Sequence, residues 1–246
     1  MNLLVCISKT PDTTARIAFK DDLTKFDEGG VQFIMNPFDE FYSLVRAIEL
    51  KEKFGGTVTV LNVGEPANDI VIRKALAIGA DKAVRINTTP TDAFFVAKQI
   101  AEYAKDKNFD IIFFGKETID YNGGEVSGMV AAMLDLPFVN LASHLEVDGT
   151  TAKLNRDIEG GVEKVEVEMP FIVSTAKGMA EQRIPNMRGI MMAKRKPLEV
   201  VEPVDADDRI EILKYELPKA KSGVKLVDPD NIDELVRLLH EEAKVI

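Results

Sequence analysis

The chain has 246 residues, of which 46% are apolar and 29% charged, and this composition is typical of a globular protein rather than a disordered or fibrous one. The 31 Lys and Arg residues against 41 Asp and Glu give a net charge of −10, which disfavours nucleic acid as the main partner because phosphate binding requires clustered cations. The single cysteine excludes a disulfide framework, and two histidines in unrelated contexts supply neither a His-rich metal centre nor a Ser-His-Asp triad.

The first two-thirds of the sequence alternates between short apolar runs and amphipathic stretches. Asn36-Pro37 predicts the start of the first helix, with Asn36 as the N-cap and Pro37 in the first turn. Further helices are predicted at 67–78, at 92–105 and from Val126 to just before Pro137. The apolar runs are typical of strands buried on both faces and comprise residues 3–7, 58–61, 83–86 and 111–114. This alternation predicts a doubly wound, mostly parallel sheet of the α/β class.

Three segments depart from this alternation. Residues 14–34 are rich in β-formers around a Gly29-Gly30 turn, and residues 145–174 contain hairpin signals that predict an antiparallel extension of the sheet. After Lys196 the periodicity is lost, and an extended arm is predicted that ends in a helix with a capping box of Asn231 and Glu234. We therefore expect an α/β domain over residues 1–196 and an arm with a helix over residues 197–246.

One loop is the strongest candidate for ligand binding. Parallel sheets bind ligands at the carboxyl ends of their strands, next to the point where the strand order reverses. The glycine-rich residues 115–128 follow a predicted strand and open a helix, so their backbone N–H groups could hold a phosphate. The spacing matches neither the Walker A motif nor the G-x-G-x-x-G motif. Nucleotide binding is the favoured interpretation, and a plain connecting loop is the alternative.

Several motifs occur together in the order that one family uses. They are Met-Asn-Pro-Phe-Asp at residues 35–39, Ala-Ile-Gly-Ala-Asp at 77–81, the loop from Gly115, and the segment from Arg156 to Ser174 with its acidic-glycine cluster. With these motifs the chain resembles the beta subunits of electron transfer flavoproteins nearly from end to end. The resemblance implies a fold like that of the adenine nucleotide alpha hydrolases. It also implies a heterodimer with an alpha subunit, on which the arm and terminal helix would pack.

The resemblance further implies a carrier subunit that performs no bond chemistry. The alpha subunit would hold the redox-active FAD, and this chain would bind AMP structurally. Flavin dehydrogenases, such as acyl-CoA dehydrogenases, would dock on the segment near Met187, and a quinone-reducing protein would accept the electrons. The residues implied in nucleotide binding are Cys6 (through its backbone), Asn36, Pro37, Phe38, Asp39, Gly64, Gly115, Lys116, Asp120, Tyr121, Asn122, Gly123, Gly124, Glu125 and Val126. Those implied in partner docking are Arg183, Met187, Ile190, Met191, Lys194, Arg195 and Lys196.

Two alternatives remain open at this stage. The glycines at 123 and 124 could make room for a larger ligand, as in the electron-bifurcating type with a second FAD and an NADH site in the beta subunit. A universal-stress-like adenine nucleotide-binding module would explain roughly the first 140 residues but not the rest.

No signal peptide or membrane-spanning run is recognised, so a cytoplasmic location without membrane insertion is expected. No metal site is expected.

Overall fold

The computed structural model describes residues 1–220 and 223–246. Its α-helices are α1 (Asp39–Phe54), α2 (Asp69–Ile78), α3 (Ala93–Ala104), α4 (Val126–Leu134), α5 (Met187–Ala193) and α6 (Ile232–Arg237). Its strands are β1 (Asn2–Cys6), β2 (Lys9–Pro11), β3 (Phe19–Lys20), β4 (Lys25–Phe26), β5 (Phe33–Met35), β6 (Thr57–Gly64), β7 (Lys82–Asn87), β8 (Ile111–Gly115), β9 (Phe138–Asp148), β10 (Thr151–Ile158), β11 (Gly161–Glu168), β12 (Phe171–Thr175) and β13 (Leu198–Val201). A 3-10 turn at Pro66–Asn68 leads into α2, and a π-helical stretch at Leu238–Ala243 follows α6.

A nine-stranded sheet organises the main part of the chain, in the order β11-β10-β9-β12-β8-β1-β6-β7-β13. The seven strands β9, β12, β8, β1, β6, β7 and β13 are parallel to one another. At the β9 edge, β10 and β11 extend the sheet, each antiparallel to its neighbours. The predicted α/β class, the parallel strands and the antiparallel hairpins are therefore confirmed. Because the chain runs from β1 to β6 and β7 on one side and then adds β8 on the other side of β1, the strand order reverses between β1 and β8.

Helices cover both faces of this sheet. On one face, Leu44 and Ile48 of α1 and Leu76 of α2 pack in a buried cluster with residues of β1 and β6. On the other face, Ile100 of α3 and Val130 of α4 pack with the alternate residues of the same strands. Because successive strand residues point to opposite faces, the central strands are apolar throughout, as the sequence indicated.

The main sheet continues past residue 196. Leu198–Val201 forms the edge strand β13, which pairs in parallel with β7, instead of the start of an irregular arm. The main compact unit of the chain comprises Met1–Ile17 and Asp27–Leu213, and the second comprises Ala18–Phe26 and Lys214–Ile246. Strand β13 was not predicted because a short edge strand with two exposed residues lacks the continuous apolar run of the central strands.

The second unit joins a short hairpin to the C-terminal residues. The ring of Phe19 in β3 stacks on that of Tyr215 with 4.6 Å between the centroids, and the Tyr215 N–H donates to the Leu23 carbonyl at 2.7 Å. In α6 the side chain of Asn231 accepts from the Glu234 N–H at 3.2 Å, so this half of the predicted capping box forms. The Glu234 carboxylate binds Arg237 rather than reaching back to Asn231. The helix thus has an N-cap, and the reciprocal half of the box is replaced by an ion pair.

Candidate functional site

The predicted ligand-binding segments converge at the carboxyl edge of the parallel sheet. Strand β1 ends at Cys6 between β8, which ends at Gly115, and β6, which ends at Gly64. The Cys6 thiol is buried in the core, and this burial raises its pKa well above the usual range. Any role of Cys6 in ligand binding would therefore fall to its backbone, as the resemblance implies.

Asn36 does not cap the first helix, and that part of the sequence prediction is wrong. Helix α1 begins at Asp39, and the residue before it, Phe38, has a φ of 62°. Asn36 is instead fully buried, and its amide Nδ2–H donates to the Glu117 carbonyl at 2.9 Å while its Oδ1 accepts from the Ile119 N–H at 3.0 Å. One side chain thus fixes the backbone of the glycine-rich loop at two points. Asn36 and the loop are more than 80 residues apart in the chain, so no local pattern reveals this contact.

Two acidic residues in the first turn of α1 are buried against the same edge. The Glu40 carboxylate accepts from both the backbone N–H of Ser8 at 2.7 Å and its hydroxyl at 2.6 Å. Burial raises the pKa of Glu40 to about 8, although these hydrogen bonds act in the opposite direction. Burial also raises the pKa of Asp39 to about 6, against the opposing effect of the Lys116 ammonium. Asp39 is one of the predicted site residues, whereas no role was predicted for Glu40.

A buried polar network supports the turn that follows β6. The amide of Asn68 donates to Asn62 Oδ1 at 2.9 Å, and a Cβ on Gly64 would come within 1.9 Å of Asn68 Nδ2. Any other residue at position 64 would therefore displace the Asn62–Asn68 amide pair. Beneath it, the buried Arg85 donates to the Gly64 carbonyl at 3.2 Å and to Asp69 Oδ1 at 2.8 Å. Arg85 was not among the predicted site residues, although a cation inside the apolar run of β7 is a signal that the sequence contains.

The loop from Gly115 to Val126 folds back on its own first residues. The Thr118 N–H donates to the Gly123 carbonyl at 3.1 Å. A Cβ on Gly124 would lie 2.9 Å from the Lys116 carbonyl oxygen, which is too close for any other residue without a shift. Gly124 is therefore required by the loop's own conformation. At Gly123 the corresponding approaches are ordinary contacts of 3.4 Å or more, so the fold leaves this glycine unexplained.

The loop ends at the start of α4 and exposes an aromatic ring. Helix α4 begins at Val126, and among the described residues no side chain caps its first turn. Within residues 1–220 and 223–246, its first backbone N–H groups therefore have no side-chain capping acceptor, and the helix dipole favours an anion there. Tyr121 in the loop and Phe38 before α1 are 65% and 60% exposed, which is unusual for large rings. The remaining predicted residues, Pro37, Asp120, Asn122 and Glu125, lie in the same two segments.

Comparison with known proteins shows the family to which the chain belongs. Residues 24–206 match the model of the electron transfer flavoprotein domain. The chain is 38% identical to the electron transfer flavoprotein subunit beta of Bacillus subtilis, and the match covers all of both chains. The chain belongs to the electron transfer flavoprotein beta-subunit family. It is also similar to the subunits of that name from Syntrophomonas wolfei (36% identical, over 94% of this chain and 92% of the relative) and Homo sapiens (30%, over 100% and 99%).

In this member of the beta-subunit family, residues 183–196 form a loop and a short helix with an exposed apolar side. Four apolar residues of α5 are exposed, namely Met187 (75%), Met191 (68%), Met192 (47%) and Ile190 (43%). Helix α5 is capped by Asn186 Oδ1, which accepts from the Gly189 N–H at 2.8 Å. A Cβ on Gly189 would lie 2.5 Å from the Ala77 carbonyl oxygen, so this glycine lets α5 pack closely on the end of α2.

The cations in the same segment are used in different ways. The Lys196 ammonium donates to the carbonyls of Leu76 and Ala80 at 2.9 and 2.5 Å, and burial lowers its pKa. Lys196 therefore closes the C-terminus of α2. Arg183 forms a two-point ion pair with Glu52 at 2.8 and 3.1 Å. Lys194 and Arg195 remain exposed next to the apolar side of α5.

Two kinds of feature are absent from the part of the chain that the structure describes. Within residues 1–220 and 223–246, no helix is both long and apolar enough to cross a lipid bilayer. In the same described part of the chain, no three His, Cys, Asp or Glu side chains are grouped so that they could hold a metal ion.

Proposed function

We propose that this chain is the beta subunit of a heterodimeric electron transfer flavoprotein that binds AMP structurally and docks flavin dehydrogenases. The alpha subunit would carry the redox-active FAD. The observation that carries the AMP assignment is the glycine-rich loop at the β1/β8 switch point, which Asn36 fixes and which leads into helix α4, whose first turn is capped by no side chain of the described residues. The family membership supports the electron-carrier role, because the relatives are named for flavoprotein electron transfer.

The residues at this edge fit an adenylate. The backbone of the loop from Lys116 to Val126 and the first turn of α4 would hold the phosphate, since free N–H groups and a helix N-terminus favour an anion. Backbone atoms near Cys6, Pro37 and Gly64 would border the nucleoside. Asn36 would act on the ligand through the loop that it fixes. Asp39 and Asp120 are acidic, so the phosphate would bind through backbone N–H groups rather than through a cluster of cations.

We favour AMP over a second FAD. Gly124 is explained by its contact with the Lys116 carbonyl, so it is not evidence of space reserved for a larger ligand. Gly123 lacks this explanation, and the exposed Phe38 and Tyr121 rings could contact more than an adenylate. The nucleotide content of the purified complex separates these possibilities.

In this mechanism the chain supplies position and surface rather than bond chemistry. The FAD supplies the electron transfer, and the protein determines where it occurs. The exposed side of α5 would bind an apolar pocket on a dehydrogenase, since methionine adapts to varied surfaces. Lys194 and Arg195 beside it would help to orient an acidic partner. The proposed docking surface comprises Met187, Ile190, Met191, Lys194 and Arg195, with Arg183 at its border and without Lys196.

The decisive experiment is nucleotide analysis of the complex formed by co-expressing this chain with its alpha subunit. Acid extracts separated by chromatography should contain one AMP and one FAD per heterodimer. Two FAD and no AMP would replace the AMP proposal with the electron-bifurcating alternative. A stable homodimer that hydrolyses ATP and does not bind an alpha subunit would instead favour an independent adenine nucleotide-binding module.

A further inference from the structure

Glu40 occupies a position where three segments of the proposed nucleotide site meet. Its carboxylate binds Ser8, which follows β1, through both the backbone N–H and the hydroxyl. Its own backbone and Cγ pack against Gly115, where a Cβ would lie 3.0 Å from Glu40 N and 2.9 Å from Glu40 Cγ. Glu40 itself belongs to the first turn of α1 and is 6% exposed. We call Ser8, Glu40 and Gly115 the Glu40 junction.

The Glu40 junction is linked to the glycine-rich loop by a second set of contacts. The Ser8 carbonyl accepts from the Asn36 N–H at 3.1 Å, and the Asn36 side chain holds Glu117 and Ile119. Ser8 is therefore fixed on one side by Glu40 and on the other by the residue that fixes the loop. A shift of Ser8 would be transmitted through Asn36 to the segment proposed to bind phosphate.

We propose that Glu40 is a positioning residue for the nucleotide, which sets the affinity for the phosphate group through its paired hydrogen bonds to Ser8 and its contact with Gly115. This inference rests on the proposed function and deepens it. Glu40 contributes shape rather than charge. A negative charge held beside a phosphate would repel it, and burial raises the pKa of Glu40 to about 8, which favours the neutral acid.

The role of shape can be separated from that of charge by substitution. A glutamine at position 40 can keep both contacts, since its Oε1 can accept from the Ser8 N–H and its Nε2 can donate to the Ser8 hydroxyl. An alanine removes both contacts and leaves a gap beside Gly115. Ser8→Ala is a milder change, because it removes only the hydroxyl donor. Glu49→Gln is a matched control on the same helix, where Glu49 is paired with Arg46 at 3.0 Å.

The test measures the affinity of the co-expressed complex for AMP and for adenosine, by competition against radiolabelled AMP in equilibrium dialysis. Because the Glu40 junction positions the phosphate-binding loop, Glu40→Ala should weaken AMP binding about tenfold or more, and adenosine binding by much less. Ser8→Ala should show a smaller loss with the same selectivity. Glu40→Gln and Glu49→Gln should retain the wild-type affinity for both ligands.

The outcomes separate this inference from the proposed function. Wild-type complex that binds no adenylate would overturn the proposed function and the inference with it. Wild-type complex that binds AMP, with equal losses for AMP and adenosine in Glu40→Ala and Ser8→Ala, would overturn the inference alone, since the effect would then be general loosening. Loss of AMP binding in Glu40→Gln equal to that in Glu40→Ala would also overturn it, because charge would then be responsible. If Glu40→Ala does not fold, the Ser8→Ala and Glu40→Gln pair decides.

Discussion

The carboxyl edge of the sheet and the α5 segment are both proposed binding regions, yet they are built in opposite ways. At the sheet edge, buried polar side chains such as Asn36, Glu40 and Arg85 hold backbone segments that are far apart in sequence. In α5, apolar side chains such as Met187 are exposed, and the helix is held at its ends. The difference indicates that a bound ligand needs a fixed backbone, whereas a passing protein partner needs an adaptable apolar surface.

The C-terminal end of α5 is held by reciprocal contacts with α2. Arg73 of α2 donates to the carbonyls of Ala193 and Lys196 at 2.8 and 2.7 Å, and Lys196 in turn donates to carbonyls at the end of α2. Arg73 therefore supplies a cation at the C-terminal end of α5, and Lys196, which follows α5, supplies one at the C-terminal end of α2, where the helix dipole favours positive charge. This leaves the apolar side chains of α5 free to adapt while the position of the helix is fixed.

The largest expected effect concerns Glu40, one of the buried polar residues at the sheet edge, and it depends on pH. Burial raises the pKa of Glu40 to about 8 from a usual value of 4.5, so the folded protein binds a proton more tightly than the unfolded chain. The contribution of Glu40 to stability is fully present below about pH 4.5 and is lost as the pH rises towards 8. Glu40→Gln has no such proton. The wild type should therefore lose several kcal/mol relative to this variant between about pH 5 and pH 8, since one pKa unit is about 1.4 kcal/mol.

The measurement is urea denaturation of the complex at a series of pH values, followed by circular dichroism. Asp39 and Asp120, whose charges act on Glu40, are present in both proteins, so their effects largely cancel in the difference. Glu49→Gln serves as the control and should keep the wild-type pH dependence. Parallel stability curves for the wild type and Glu40→Gln would contradict the burial of Glu40 as a neutral acid.

The second effect concerns the loop at the sheet edge. Asn36→Ala removes both hydrogen bonds to the loop and leaves the Glu117 carbonyl and the Ile119 N–H without this partner. We expect AMP affinity to fall by roughly 100-fold, equivalent to about 2 to 3 kcal/mol for two lost hydrogen bonds. Equilibrium dialysis with radiolabelled AMP measures the change. Asn155→Ala on β10 is the control and should bind AMP normally, and a similar loss there would show that the effect is not local.

The third effect tests the exposed apolar side chains of α5. Met187→Ala should slow electron transfer from a reduced acyl-CoA dehydrogenase about tenfold, while the flavin spectrum and the heterodimer are retained, because an exposed side chain contributes little to the fold. Stopped-flow reduction of the complex measures the rate. Ile70→Ala removes another exposed apolar side chain, 69% exposed on α2, and should transfer electrons at the wild-type rate. Unchanged kinetics in Met187→Ala would reject this residue as an anchor.

The sequence predicted the elements better than the contacts between them. Apolar runs located β1, β6, β7 and β8 to within a few residues, because burial on both faces leaves a continuous signal. Asn36 was misinterpreted because Asn-Pro is a good helix start locally, whereas its partners lie in a loop after β8. Glu40 gave no signal because acidic residues are ordinary in a first helical turn. The sequence thus predicted where the candidate site would lie. The side chains that fix its backbone could be identified only from the fold.

The smallest effect distinguishes two lysines that look alike in the sequence. Lys194 and Lys196 belong to one basic run, but Lys194 is exposed and Lys196 donates to two carbonyls at the end of α2. Lys196→Met should therefore lower the free energy of unfolding by about 1 kcal/mol, since it leaves two carbonyls without a donor. Lys194→Met should leave that free energy unchanged and weaken dehydrogenase docking slightly, most visibly at low salt. Urea denaturation and kinetics at two ionic strengths measure the pair. If Lys196→Met weakened docking and left the free energy of unfolding unchanged, Lys196 would face the partner. The hydrogen bonds of Arg73 and Lys196 would then no longer explain how α5 is held against α2.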